Sequence, residues 1–146
     1  MLILTLLVTF TGMADAQIII KKSDSQKSEL MVTLSMSWSW IYRTGDTYYI
    51  VMNSSNQFDD AYWMRIGSSK EECLESVSSL LELSKTIGKT DRYEIENGMG
   101  EKFYATQYKA LGITGMQFNS LSRAGYGYIT TPNLKKASKW VESNVK

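Results

Sequence analysis

Polar and apolar residues alternate over a stretch of thirteen residues in the first third of the chain. Apolar or aromatic side chains occupy every second position from Leu30 to Tyr42, with mainly serine and threonine between them. An alternation with period two predicts a β-strand with one apolar face, and its length predicts one long strand over residues 30–42. We expect Trp38, Trp40 and Tyr42 to share that face and to lie in the core.

A tight turn follows at residues 43–46, where Gly45 can adopt a positive φ, and residues 47–53 form the returning strand. A two-residue loop fixes the register of such a hairpin. It places two pairs of residues opposite each other: Tyr42 with Tyr49, and Trp40 with Val51. Residues 61–67 predict a third strand.

The best helix signal begins at Ser69. Ser69 and Glu72 form a capping box, in which the serine hydroxyl accepts from the amide of residue 72 while the carboxylate reaches back. Apolar residues then recur at helical spacing up to Gly88, a residue suited to the end of a helix. This stripe consists of Cys73, Val77, Leu80, Ser84 and Ile87.

The second half of the chain begins with another predicted hairpin, formed by residues 92–96 and 101–108. Its loop, with Gly100 left-handed, pairs Glu96 with Lys102 and Ile95 with Phe103. Residues 107–127 have no clear pattern beyond a short strand at 116–119, and residues 126–130 predict the last strand.

A closing helix is predicted with Thr131 as its N-cap and the only proline, Pro132, at its first position. Its apolar stripe consists of Leu134, Ala137, Val141 and Val145. The order of elements predicts an α+β fold, a mainly antiparallel β-sheet of about five to seven strands with two α-helices packed on one face. Each helix follows a strand and a hydroxyl cap. This weak similarity between the two halves of the chain does not by itself establish a duplication.

Residues 1–16 have the features of a signal peptide: an uncharged apolar segment, then Ala14-Asp15-Ala16 directly before Gln17. We expect cleavage after Ala16 and a secreted or periplasmic protein; a buried N-terminal strand is the alternative. The apolar segment is shorter than the roughly 20 residues that a membrane span requires, so no transmembrane anchor is expected. Residues 17–29 are then an arm or linker, and 30–146 a single domain.

Composition excludes several kinds of chemistry. The chain contains no histidine, which excludes Ser-His-Asp and Cys-His catalysis and histidine-based zinc sites. Its net charge is +1, and removing residues 1–16, whose only charged residue is Asp15, leaves +2. Such a weakly charged chain is not expected to bind nucleic acid, and we expect no cofactor and no metal.

Two features are candidates for catalysis. The only cysteine, Cys73, lies in the first turn of the predicted helix, but it is surrounded by glutamates on the apolar stripe, which indicates a packed structural thiol. Asp59 and Asp60 are adjacent acids in a polar loop. They could bind calcium or cleave glycosides, although acids in such loops are usually only solvated.

Aromatic residues are concentrated on the first three strands and offer a better candidate for binding. Alternation places Tyr48 and Trp63 on the face opposite Trp40, near Arg43 and Arg65. A ring surface flanked by guanidinium groups can stack on a sugar or hold a partner side chain.

These observations favour an exported, small, non-catalytic binding or accessory domain, whose ligand is a protein partner or a glycan. One alternative is a small hydrolase that uses carboxylates instead of histidine. Another is a subunit of an extracellular assembly, in which the strand from Leu30 to Tyr42 pairs edge to edge with a neighbour. The sequence leaves the oligomeric state open.

Overall fold

A computed structural model describes residues 27–146, which form two four-stranded antiparallel sheets and two α-helices. The first sheet has the order β1 (Glu29–Ser35), β2 (Ser39–Thr44), β3 (Thr47–Met52), β4 (Tyr62–Gly67), and α1 (Lys70–Thr86) follows it. The second sheet has the order β5 (Tyr93–Glu96), β6 (Lys102–Ala110), β7 (Ile113–Asn119), β8 (Tyr126–Thr130), and α2 (Thr131–Asn144) follows it. The predicted signal peptide and most of the arm lie outside the described residues.

The α+β class, the antiparallel pairing and the two helices are confirmed. A single sheet of five to seven strands is wrong, because β4 and β5 do not pair as neighbours in a sheet. Helix α1 separates them along the chain, and β5 starts a second sheet. The strands therefore number eight, four in each sheet.

The chain consists of two units in succession, each with four strands followed by a helix. The two middle strands of each unit are joined by a two-residue loop, Gly45–Asp46 in the first and Leu111–Gly112 in the second. Each helix has a hydroxyl N-cap, Ser69 or Thr130, whose oxygen accepts from the amide three residues later. The similarity of the two helix caps in the sequence is therefore part of a repeat in the order of structural elements that covers the whole unit.

Both sheets and both helices contribute to one hydrophobic core. The predicted helix stripes are confirmed, since every member is buried. An edge-on aromatic contact joins the two sheets, with the ring centroids of Tyr62 and Phe103 5.2 Å apart, and Phe118 of the second sheet extends it, 6.4 Å from Phe103. The other main sheet residues in the core are Ile41, Ile50, Met52, Met64, Ile66, Ala105, Met116 and Ile129.

The prediction of one strand from Leu30 to Tyr42 is wrong, because the chain reverses at residues 36–38. Ser37 adopts a left-handed conformation with φ 72°, and the amide of Trp38 donates to the carbonyl of Ser35. Asn53 holds the turn from outside: its Nδ2 donates to the Ser37 carbonyl at 2.8 Å, and its backbone amide donates to the Trp38 carbonyl at 2.9 Å. The stretch is therefore a hairpin, not a long strand.

This reversal also inverts the predicted faces of β2. Ser39 and Ile41 are the buried residues of the strand, whereas Trp40 and Tyr42 lie on the face away from the core. The predicted register of β2 and β3 is confirmed, with Trp40 opposite Val51 and Tyr42 opposite Tyr49.

The predicted helix starts differ from the structure by at most one residue. Ser69 caps α1 as predicted, although the Glu72 carboxylate accepts from the amide of Ser68 instead of Ser69. Helix α2 is capped by Thr130, one residue before the predicted Thr131. Neither helix in the described part of the chain is long and apolar enough to span a membrane.

The second predicted hairpin is confirmed. Glu96 pairs with Lys102, Ile95 pairs with Phe103, and Gly100 has a φ of +86°. Its loop also contacts the first sheet, since the amide of Arg65 donates to the Asn97 carbonyl at 2.9 Å.

A contact in the opposite direction closes the edge of the second sheet. Ser55, in the loop between β3 and β4, donates its amide to the Tyr126 carbonyl at 2.8 Å, and its hydroxyl accepts from the Tyr126 amide at 2.9 Å. Each unit therefore supplies a loop that covers the last strand of the other.

Candidate functional site: an aromatic sheet face

The outer face of the first sheet carries most of its aromatic side chains. Directly paired residues on neighbouring strands form two rows across this face. One row is Leu30, Tyr42, Tyr49, Arg65, and the other is Thr33, Trp40, Val51, Trp63. Because strands lie about 4.8 Å apart, four strands span roughly 14 Å. We call Trp40, Tyr42, Tyr49 and Trp63 the aromatic face.

Trp63 lies between the two tyrosines. Its ring centroid is 5.6 Å from that of Tyr42, in a tilted arrangement, and 5.6 Å from that of Tyr49, edge to face. Such contacts stabilise a pair of rings by about 0.5–1.5 kcal/mol beyond the area they bury. The rings therefore hold one another in place.

Val51 lies beneath these rings. It is 3 % exposed although it does not belong to the hydrophobic core. Its direct cross-strand neighbours are Trp40 and Trp63. The aromatic face is thus a second, smaller apolar cluster on the side of the sheet away from the helices.

The polar ends of the four aromatic residues remain accessible. All four side chains are partly exposed. Among the described residues, Ser39 alone has a buried side-chain polar atom without a hydrogen-bond partner. The indole N–H and phenol groups of the aromatic face make no side-chain hydrogen bond within residues 27–146, so they can bind solvent or a ligand.

Arg65 borders the aromatic face. Its Nη2 donates to the carboxylate of Glu72 and to the hydroxyl of Ser68, both at 3.3 Å. The Ser68 amide and, to a smaller extent, this guanidinium lower the pKa of Glu72. A Cβ on Gly98, which has φ +74°, would lie 3.0 Å from the Cβ of Arg65, so the arginine stem is packed against the loop.

The four predicted site residues do not come together. Trp63 and Arg65 lie on the outer face of the first sheet, but Tyr48 pairs with Arg43 on the other face, which the helices cover. The Tyr48 ring lies 6.1 Å from that of Trp140 in α2, centroid to centroid. The predicted placement of Tyr48 beside Trp63 is wrong, because Trp63 pairs with Val51 and so shares the face of Trp40, whereas Tyr48 lies on the opposite face.

Arg43 and Tyr48 line a separate cavity of about 570 Å³ beside the end of α2. Arg43 forms an ion pair there with Glu29, at 2.6 Å, and its pKa is raised chiefly by that hydrogen bond.

The outer position of Trp40, Tyr42 and Tyr49 was not predicted from the sequence. The two-residue loop at Gly45–Asp46 did predict that Tyr42 pairs with Tyr49, and therefore that these two residues share a face.

The second sheet carries a counterpart of the aromatic face. Tyr108 and Tyr128 stack in parallel with centroids 4.5 Å apart, and Trp38 lies 5.0 Å from Tyr128. Tyr42 and Tyr108 each lie two residues before the end of the strand that precedes the two-residue loop. Burial, followed by the neighbouring Tyr108, raises the pKa of Tyr128.

The structure also places the two catalytic candidates. Cys73 is completely buried, as predicted, and burial, with a smaller effect of Glu72, raises the pKa of its thiol to about 11. A neutral, inaccessible thiol is a poor nucleophile. Asp59 holds a loop, since its Oδ2 accepts from the amide of Gly125 at 2.7 Å. Within residues 27–146 no group of three or more acidic or cysteine side chains is arranged to hold a metal ion.

No protein-family model, curated protein or solved structure matches this chain. Its function is therefore inferred from its own geometry.

Proposed function

We propose that this protein is a small, non-catalytic binding domain that holds a saccharide chain on the aromatic face. The observation that carries the proposal is the presence of four partly exposed aromatic rings around Val51 on an open sheet face. The hydrophobic core lies on the other face of the sheet and includes none of these four rings. Aromatic rings left on an open face are typical of a recognition surface.

A saccharide fits the chemistry of this face. The C–H faces of pyranose rings pack against aromatic rings, while their hydroxyl groups need donors and acceptors at the margin. Trp40 and Trp63 provide indole N–H donors, Tyr42 and Tyr49 provide phenol groups, and Arg65 provides a guanidinium. The rows across the sheet, roughly 14 Å long by strand spacing, accommodate more than one sugar ring.

Export of the domain is part of the same proposal and is supported by the features of residues 1–16. Outside the cytoplasm, wall polymers and other glycans are abundant ligands. Mass spectrometry of secreted protein should find Gln17 at the N-terminus. Detection of an intact Met1 on secreted protein would contradict export by cleavage.

The binding proposal is tested with soluble β-linked oligosaccharides of glucose and N-acetylglucosamine and with purified peptidoglycan. Binding should change tryptophan fluorescence, and Trp63→Ala should weaken it by at least roughly tenfold, the effect expected for losing one aromatic contact of 1.4 kcal/mol or more. Ile41→Ala, on the opposite face of the same sheet, is the matched control. It should lower stability by about 2–5 kcal/mol and leave affinity at 10 °C within about twofold.

Tyr93→Ala is a second control, because Tyr93 is 45 % exposed and lies on the second sheet. The proposal fails if no saccharide in the panel binds, or if binding survives the loss of Trp63 with unchanged affinity. It fails equally if Tyr93→Ala and Trp63→Ala have the same effect.

A further inference from the structure

Large apolar side chains that are exposed to solvent are concentrated at two ends of the molecule. Nine such residues are exposed in the described part of the chain, and six of them fall into two groups of three. We call Phe58 (87 %), Met99 (51 %) and Leu121 (85 %) the loop end. We call Met36 (84 %), Leu111 (101 %) and Ile113 (46 %) the hairpin end.

The three loops of the loop end are tied together by one arginine. Arg123, itself in the loop 120–125, donates from Nη1 to the carbonyls of Asp60 and Ala61 at 3.0 and 3.1 Å. Its Nη2 donates to the Glu101 carboxylate at 2.9 Å, and its guanidinium lies 4.3 Å from the centre of the Tyr62 ring. The loops 53–61, 97–101 and 120–125 therefore form one surface.

Polar turns fix the backbone around each apolar residue of the loop end. The amide of Phe58 donates to Asn56 Oδ1 at 3.1 Å, and that of Met99 donates to Asn97 Oδ1 at 2.9 Å. Leu121 lies inside a similar turn, in which the Ser122 amide donates to Ser120 Oγ at 3.3 Å. These turns order the backbone at the three exposed side chains, so less order has to be gained when the side chains are buried against a partner.

The loop end is acidic. Its three loops contain three carboxylates, Asp59, Asp60 and Glu101, and a single guanidinium, that of Arg123, which leaves a net charge of −2. The Arg123–Glu101 pair is largely shielded, with side chains 18 % and 30 % exposed. The carboxylate of Asp60 remains at the surface.

The hairpin end has the opposite character. Leu111 is fully exposed with a φ of 50°, in a turn position where glycine, asparagine or aspartate is normally found. A groove of about 350 Å³ beside it is lined by uncharged residues only. The adjoining strand β6 and helix α2 contribute three lysines, Lys109, Lys135 and Lys136, and the first turn of α2 contains no acid.

The two ends lie at opposite ends of the second sheet. Strand β6 runs from Lys102, beside the loop 97–101, to Ala110, beside Leu111. Its nine residues span roughly 26 Å at about 3.3 Å per residue. Strand β7 returns from Ile113 to Asn119, next to the loop that carries Leu121.

We propose that the loop end of one copy of this protein docks on the hairpin end of a second copy. Apolar anchors and opposite charges are present on the two surfaces, so each end is a suitable partner for the other. The two surfaces differ, so the contact is heterologous and extends into a chain or closes into a ring instead of stopping at a twofold dimer. This proposal is independent of saccharide binding on the aromatic face.

Assembly through the edge of β1 is a weaker alternative. Lys136 Nζ donates to the Thr33 carbonyl at 2.7 Å and thereby occupies part of that edge. The pairing of β1 with β2 also contains two register shifts. Irregular edge strands covered by a lysine are typical of protection against edge-to-edge pairing.

Sedimentation velocity on residues 17–146 over increasing protein concentration tests the proposal. The wild-type protein should form species larger than dimers, and 0.5 M NaCl should weaken the association because the contact is partly electrostatic. Leu111→Asn, which keeps a residue suited to the left-handed turn, blocks the hairpin end. The double variant Phe58→Ser/Leu121→Ser blocks the loop end. Each should weaken association by at least roughly tenfold.

Mixing the two blocked variants is the decisive experiment. Each retains one intact end, so the mixture should form 1:1 dimers and nothing larger, while each variant alone stays monomeric. Leu30→Asn, at another exposed leucine, is the matched control and should associate as the wild type does. Circular dichroism melts confirm that every variant is folded.

Three results would overturn the proposal. One is a wild-type protein that stays monomeric at 1 mM. Another is a mixture of blocked variants that forms no dimer. The third is association of the wild type that both blocked variants retain. Binding of the hairpin end to vesicles of phosphatidylglycerol, lost in Leu111→Asn while the protein stays monomeric, would assign that end to an anionic lipid surface instead.

Discussion

The side-chain amide of Asn97 donates a hydrogen bond to the backbone carbonyl of Trp63 at 3.1 Å, across the boundary between the two sheets. Asn97 is 1 % exposed, and its Oδ1 accepts from the amides of Met99 and Glu101. Its backbone carbonyl accepts from the amide of Arg65. One side chain therefore shapes the loop between β5 and β6 and also occupies the open edge of β4.

Replacing this residue should be costly. Asn97→Ala removes three hydrogen bonds in a buried place, and we expect a loss of about 2–4 kcal/mol in the free energy of unfolding, measured by urea denaturation. Asn97→Asp retains the acceptor oxygen but cannot donate to Trp63, so it separates the two roles. A loss below about 0.5 kcal/mol for Asn97→Ala would show that the loop is held by other contacts.

Ser39 should respond in the opposite way. Its hydroxyl is buried in the core without a hydrogen-bond partner in the described structure, and a buried unpaired polar group costs about 1–3 kcal/mol. Ser39→Ala should therefore be neutral or raise the melting temperature. Ala105 occupies the corresponding position of the second unit, five residues before the end of its strand, and Ala105→Ser should lower the melting temperature. A clear loss of stability in Ser39→Ala would indicate a buried water on this hydroxyl.

The buried thiol predicts a stability change at alkaline pH. The pKa of Cys73 is raised from 9.0 to about 11 in the folded protein. An acid with a raised folded pKa stabilises the fold fully below its unfolded pKa, so stability should fall as the pH rises from 9 to 11. Cys73→Ala should remove that part of the decline, although the smaller side chain should lower stability by on the order of 1 kcal/mol at pH 7.

Thiol labelling provides an independent check on Cys73. Native protein should react with Ellman's reagent only as fast as it unfolds, because the thiol is neutral and inaccessible. Fast labelling of folded protein at pH 7 would contradict the burial that the structure shows.

Glu72 predicts a change at the acidic end. Its pKa is lowered from 4.5, mainly by the hydrogen bond from the Ser68 amide. A carboxylate with a lowered folded pKa stabilises the fold above its unfolded pKa and loses this effect as the pH falls. Glu72→Gln should therefore flatten the decline in melting temperature below about pH 4.5, whereas Glu71→Gln, in the same turn, should not. Equal acid profiles for the wild type and Glu72→Gln would refute this role.

The features that the sequence predicts correctly are held by nearby residues. Gly45 and Gly100 mark turns whose partners lie within the same hairpin, and Ser69 caps a helix through an amide three residues away. The turn at Ser37 was missed because its position favours glycine or asparagine, and because the residue that holds it, Asn53, lies sixteen positions later. The turn at Leu111 and Gly112 was not predicted either, because leucine is unusual in a left-handed conformation.

The missed turn at Ser37 also made part of the predicted candidate site wrong. An alternating pattern assigns faces only as long as the strand continues, so a reversal inside it changes which residues lie together. Trp40 and Tyr42 lie on the open face although they were expected in the core, and Tyr48 packs on the core although it was expected on the open face. The presence of an aromatic face was predictable, but its membership depended on a long-range contact.

The loops that carry Asn97 and Ser55 each contact the last strand of the other unit, so cutting the chain between the two units would separate both loops from their partners. Lys89 is exposed and lies between α1 and β5, outside both contacts. Residues 27–89 and 90–146 made as separate polypeptides should each leave an edge uncovered and fail to fold alone. Mixed together, they should reassemble into the native structure, which would make this protein a natural split-protein reporter with its breakpoint at the junction of its two units.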